Sequence, residues 1–168
     1  MAEGQKGLLV RPIVPEDPDA RPDATLFEPR RVLLDTNILL DYLDARRAEH
    51  TLARELVHAA LGAGMALAAA ASSYKDMYYI LRRSLKDEVG ARRLIRGLIE
   101  CVPITAIDLR ATDLALAIAS DEYDFEDGLM RQVAERERLV AIVTRDAAAF
   151  VGSPVPSFDP HKFLELLS

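Results

Sequence analysis

The chain has no tryptophan and a single cysteine in 168 residues. One cysteine can neither close an intramolecular disulfide nor build a cysteine-rich zinc site, and a reducing compartment suits it. No apolar run approaches the roughly 20 residues that a membrane-spanning helix needs. The N-terminus lacks a basic-then-apolar leader. The expectation is a cytoplasmic protein with no membrane partner. Positive charge is also short: 21 Lys+Arg face 27 Asp+Glu, a net charge of −6. That balance argues against a nonspecific basic coat for nucleic acid. It does not say where the acids sit.

What is present fits one globular domain. Half of the residues are hydrophobic and 29% are charged, an ordinary composition for a packed core. A chain of this length buries about 68–70% of its unfolded surface. The first thirty residues stand apart, with Pro12, Pro15, Pro18, Pro22 and Pro29 among the nine prolines. Proline at this density removes donors and favours extended chain. Residues 1–30 therefore read as a Pro-rich extended or flexible arm, and residues 31–168 as the folded domain. The arm carries a net −2, which leaves −4 to the domain.

Within the domain, short apolar runs alternate with helical patterns. Val32–Leu34 reads as a buried strand, Asn37–Leu43 and Thr51–Leu61 as helices, and Met65–Ala71 as a second strand despite its alanines. Ser72 or Ser73 is expected to cap a helix to Arg83. Helices follow at Lys86–Ile99, Leu109–Ala119 and Phe125–Arg136. Strands are expected at Val102–Ile104, at Leu139–Thr144 and near Val155. Pro160 opens a last helix to Leu167. This alternation predicts an α/β fold: three layers, α/β/α, around a central parallel sheet of about five strands. Such sheets bind ligands beyond the carboxyl ends of their strands.

Four carboxylates fall at that edge. Asp35 ends the first strand and Asp146 follows the Leu139–Thr144 strand. Asp76 lies early in the helix after the second strand, and Asp127 in the first turn of Phe125–Arg136. Each has a plainer role open to it, as a helix cap, a turn residue or a partner of a helix dipole. Together they would repel one another, and a hard divalent cation relieves that repulsion. Magnesium or manganese suits such oxygen ligands. A metal-activated water can attack a phosphodiester.

Leu33-Leu34-Asp35-Thr36-Asn37-Ile38-Leu39-Leu40-Asp41 resembles the opening motif of PIN-domain ribonucleases. Asp124-Phe125-Glu126-Asp127-Gly128-Leu129 and Ile142-Val143-Thr144-Arg145-Asp146 resemble the closing motifs of the same family. The resemblance covers Val32 to about Leu167. It implies a VapC-type toxin, a Mg²⁺- or Mn²⁺-dependent endoribonuclease, often a homodimer, silenced by an antitoxin protein. It implies Asp35, Asp76, Asp127 and Asp146 as metal ligands and catalytic acids. Asn37 becomes the polar neighbour that orients the first acid or the site water, with Asp124 and Glu126 as accessories. Two positions depart from the family pattern: Asp76 stands where a glutamate is usual, and Gly128 where alanine is commoner. A catalytically degenerate module that binds RNA or a partner is therefore the alternative. A DNA-directed nuclease also stays open, because the acids do not distinguish the two polymers. A phosphorylatable-aspartate protein is less well supported, since no lysine follows Leu139–Thr144.

Lys75, Arg82, Arg83, Arg92, Arg93 and Arg145 are candidate RNA-binding residues. The plainer reading of the basic stretch is a solvated helix face with pairs such as Glu88–Arg92. Tyr74, Tyr78 and Tyr79 are candidates for base stacking, with Tyr78 or Tyr79 expected in the core. The histidines show no metal spacing and receive no catalytic role. Cys101 is expected to be a small buried hydrophobe. Leu39, Leu40, Leu43, Leu52 and Leu56 are expected to line a groove for a partner helix.

Overall fold

The computed structural model describes residues 30–168. The expected arm, apart from Arg30, lies outside the described residues. Five strands form one sheet: β1 (Arg31–Leu34), β2 (Ala66–Ala70), β3 (Ile104–Ile107), β4 (Ala141–Val143) and β5 (Ser157–Phe158). Their order is β3-β2-β1-β4-β5, and every pairing is parallel. Parallel pairing needs crossovers. Helices α1 (Thr36–Leu43) and α2 (His50–Gly62) link β1 to β2; α3 (Ala71–Leu85) and α4 (Glu88–Cys101) link β2 to β3. Helices α5 (Ala111–Ala119) and α6 (Phe125–Arg136) carry the chain to the far side of β1. A 3-10 turn, Ala147–Phe150, leads to β5, and α7 (Pro160–Leu167) closes the domain.

The central strands β1, β2 and β4 are buried on both faces, as their continuous apolar runs require. Val32 and Leu34 join a core with α1, α2, α3, α4 and α7 residues such as Ile38, Leu56, Met77, Leu98 and Phe163. Leu33 points the other way, into a core with Met130, Val133, Ala134, Ile142 and Phe150. Helices therefore cover both faces, giving the three-layer α/β/α arrangement. The strand β2 is mostly alanine, a helix former. It is a strand because its register places Leu67 beside Val32 and Ala68 beside Leu33, between β1 and β3 and away from water. The turn before it uses Gly64 at φ +73°, a left-handed conformation that glycine adopts without penalty.

Several local expectations shift. Strand β3 starts at Ile104 rather than Val102, because Val102 still caps α4 and Pro103 has no N–H to give the ladder. Strand β5 is Ser157–Phe158, whereas Val155 packs into the second core between two prolines. Helix α3 starts directly at Ala71 with no capping side chain. Ser73 is buried and accepts a 2.9 Å hydrogen bond from the Thr36 hydroxyl, which ties α3 to α1. Cys101 is exposed at the end of α4. Leu39, Leu40 and Leu56 are buried in the first core, so the expected early-helix groove is filled by the chain itself.

Candidate active site

The strand order reverses at β1. From β1 the chain steps through β2 to β3, then returns to place β4 on the other side of β1. The crevice beyond the carboxyl ends at such a switch point is where doubly wound sheets hold ligands. Asp35 and Thr144 stand there. The Asp35 amide donates to Val143 O at 3.0 Å, continuing the β1–β4 pairing past the last strand residue. The Thr144 hydroxyl donates to Asp35 Oδ2 at 2.9 Å and accepts from the Asp146 amide at 3.1 Å. One buried hydroxyl thus links the first and last acids. Asp35 occupies the cap position of α1, where its carbonyl accepts from the Ile38 and Leu39 amides while its side chain makes no capping hydrogen bond.

The other acids approach from two helices. Asp76 lies one turn into α3, whose start is fixed by the Thr36–Ser73 hydrogen bond. Asp127 lies in the first turn of α6. Asp124 caps that helix by accepting from the Glu126 amide at 2.9 Å. Gly128 explains how α6 comes to lie where it does. A Cβ there would meet the Ala117 Cβ at 3.3 Å, so the glycine admits α5 against the helix that carries Asp127. Asp35, Asn37, Asp76, Asp127 and Asp146 all line one cleft of about 630 Å³, together with Lys75 and Glu126.

The electrostatics match the convergence. Burial raises the Asp35 carboxyl above its ordinary value of 3.8, and Asp146 adds to the rise. The Thr144 hydroxyl, helped by the adjacent Thr36 and Asn37 amides, opposes it. Asp127 is raised by burial first, then by the charges of Asp35, Asp124, Asp146 and Glu126. Like charges are thus held together against their repulsion. All the donors are hard oxygens, the set that suits magnesium or manganese. Among the described residues, no three acidic, histidine or cysteine side chains form a ready-made metal cage. A magnesium-type ion does not need one, since it commonly takes one or two carboxylates and keeps several waters.

The family model of the PIN domain matches residues 31–148. The chain belongs to the PIN-domain family. Solved structures agree on the fold. VapC20 of Mycobacterium tuberculosis, a toxin that cleaves the sarcin-ricin loop, superposes with a TM-score of 0.54 at 14% identity, over 66% of this chain and 86% of its own. VapBC2 from Rickettsia felis, bound to a promoter DNA fragment, gives 0.57 at 17% identity, over 77% and 98%. A toxin–antitoxin complex from Klebsiella pneumoniae gives 0.54 at 23% identity, over 77% and 97%. No curated protein matches the chain significantly.

On this PIN domain the candidate basic residues separate into two groups. Arg145 turns away from the cleft toward the buried Asp41, at 3.5 Å. Arg92 pairs with Glu88 at 2.7 Å and lies over the Tyr78 ring. Arg82 shares Glu88 at 3.7 Å. Lys75, Arg83 and Arg93 are exposed. Tyr74 and Tyr78 pack on the first core, whereas Tyr79 is 60% exposed at the cleft rim with Ile80, Leu114 and Phe125. Sequence reasoning missed Thr144 and Asp41. Thr144 was hidden because a threonine after a strand reads as β-propensity alone. Asp41 was legible only as part of the opening motif, with nothing to show that it is buried beneath Arg145 and Arg47.

Proposed function

We propose that this PIN-domain protein is a metal-dependent endoribonuclease, the toxin of a type II toxin–antitoxin pair. The observation that carries the reading is the convergence of Asp35, Asp76, Asp127 and Asp146 on one cleft at the sheet's switch point. The printed descriptions of its structural neighbours, which include toxins and toxin–antitoxin complexes, support it. Mg²⁺ or Mn²⁺ would sit among those four aspartates, held directly by one or two and through water by the rest, and when bound would acidify a water and offset charge on the phosphate. The chain's own residues prepare the site. Thr144 fixes the Asp35 carboxylate and the Asp146 backbone together. Asn37, exposed at the cleft, orients the attacking water or the scissile phosphate. Asp127 and Glu126 keep the α6 side of the cleft anionic, and Lys75 faces it from α3.

The partners follow from the same reading: an RNA substrate, an antitoxin protein, and a second copy of the chain in a homodimer. Among the described residues, no helix is long and apolar enough to cross a membrane. The deciding experiment compares RNA cleavage with Mn²⁺ by the native chain and by Asp35→Asn, with circular dichroism to confirm folding. Cleavage lost in a folded variant supports the reading, and undiminished cleavage overturns it. A second reading, a non-catalytic PIN module that binds RNA or protein, draws on the shorter aspartate at position 76. A Mn²⁺ titration separates the two: no binding at millimolar metal favours the module.

A further inference from the structure

We propose that α3 carries the substrate-guiding surface of this protein, a stripe that leads unpaired RNA from the acid cleft across Tyr79 onto Arg83 and Lys86. The inference rests on the nuclease reading above and names how that site receives its substrate. Residues three and four apart share one helix face. Lys75 and Asp76, then Tyr79, then Arg82 and Arg83 follow that spacing within α3, and Lys86 stands at its C-cap. The geometry bears the stripe out. Tyr79 lines the acid cleft, and it also lines a separate groove of about 490 Å³ with Arg82, Arg83, Lys86 and a single acid, Glu88. The two openings therefore meet at one exposed aromatic ring.

The chemistry along the stripe changes in the order a single strand needs. Carboxylates for metal come first. An exposed ring follows, which any unpaired base can stack on. Cations for the next phosphates come last. Asp76 to Arg83 spans about 10 Å at 1.5 Å per residue, and Lys86 follows at the left-handed C-cap of α3, so the cations sit beyond the cleft and not inside it. Arg82 is partly neutralised by Glu88. Arg83 and Lys86 make no ion pair among the described residues, which leaves them available to phosphate. A duplex cannot present an unstacked base to Tyr79, so the stripe favours single strands.

The test measures binding of a fluorescent unpaired RNA of mixed sequence to the full-length Asp35→Asn chain, which leaves the RNA uncut, and repeats it with the same RNA in a duplex. Arg83→Ala combined with Lys86→Ala should weaken single-strand binding and reduce the slope of log K against log salt by about 1.4, at about 0.7 per phosphate contact. Tyr79→Ala should weaken it by about five- to hundredfold, and Tyr79→Phe should restore it. Parental affinity and slope in the double variant overturn the proposal, which is also the result expected if the stripe serves an acidic protein instead. Equal affinity for the duplex together with a silent Tyr79→Ala overturns the stacking role. Failure of the nuclease reading looks different: the native chain fails to cleave with Mn²⁺ while RNA binding still depends on Tyr79, Arg83 and Lys86.

Discussion

The Thr144 hydroxyl stands between Asp35 and Asp146, donating to the carboxylate of the first at 2.9 Å and accepting from the amide of the second at 3.1 Å. Thr144 is 1% exposed, so neither bond has water as a substitute. Thr144→Val keeps the shape and removes both bonds. Thermal unfolding should show a loss of about 1–3 kcal/mol, the usual consequence of leaving a buried polar group unsatisfied. Cleavage should fall by about ten- to hundredfold, as misplacement of a reacting group does. Thr144→Ser should restore both.

Neutralising Asp35 should make the metal-free protein more stable. Its carboxyl, like that of Asp127, titrates above the ordinary 3.8 because burial and neighbouring acids disfavour the anion. The folded chain therefore keeps these protons to higher pH than the unfolded chain does. Stability from this source is present at low pH and is lost as pH rises from 3.8 through the folded values. Asp35→Asn should raise the metal-free melting temperature near neutral pH, because the variant carries no buried charge at this position. The gap should close toward pH 3.8. Mn²⁺ should raise the melting temperature of the native chain and not that of the variant.

The layers and the parallel sheet were legible because the central strands are short apolar runs that only a doubly covered sheet accommodates. The acids were legible because Asp35, Asp127 and Asp146 each sit at a strand end or helix start where topology leaves one destination. What stayed hidden depends on tertiary contact. The start of β3 depends on how far α4 runs before Pro103. Ser73 looks like a cap, yet it is consumed by Thr36. Arg145 looks like a phosphate ligand because it neighbours Asp146, yet the buried Asp41 carboxylate of α1 claims it. No local pattern distinguishes a free arginine from a paired one.

Asp41 supplies the next prediction. Its side chain is 1% exposed and lies between Arg47 at 2.5 Å and Arg145 at 3.5 Å. Its Oδ2 makes no hydrogen bond. Arg47→Ala should lower stability by about 1–3 kcal/mol, because it removes the hydrogen bond to the buried Asp41 carboxylate and leaves Arg145 as its counter-charge. Arg145→Ala should leave the salt dependence of RNA binding unchanged, in contrast to Arg83→Ala. Fluorescence anisotropy across a salt series distinguishes them, and a reduced slope for Arg145→Ala would return that residue to the RNA surface.

Gly128 should be intolerant of bulk. With Ala117 already 3.3 Å from where its Cβ would stand, Gly128→Val must push α5 from α6. Overpacking of this kind costs about 1–3 kcal/mol. The displaced α6 also carries Asp127, so Mn²⁺ affinity should weaken with the melting temperature. A variant that loses stability but binds Mn²⁺ as the native chain does would show that Asp127 does not depend on this contact.

Asp76 decides between an active and a degenerate site. It lines the same cleft as the other acids but reaches one methylene less far than a glutamate would. If it serves the metal through an intervening water, Asp76→Asn should weaken Mn²⁺ binding by about ten- to hundredfold, the usual effect of removing an outer-shell partner. Asp76→Glu, reaching further, should bind Mn²⁺ at least as tightly and cleave at least as fast as the native chain. Calorimetric titration and a cleavage assay on the same preparations give both numbers. If Asp76→Asn changes neither, the carboxylate is a bystander, and the metal rests on Asp35, Asp127 and Asp146 alone. If Asp76→Glu switches on cleavage in a chain that otherwise shows none, the aspartate is the single step that separates this protein from an active nuclease.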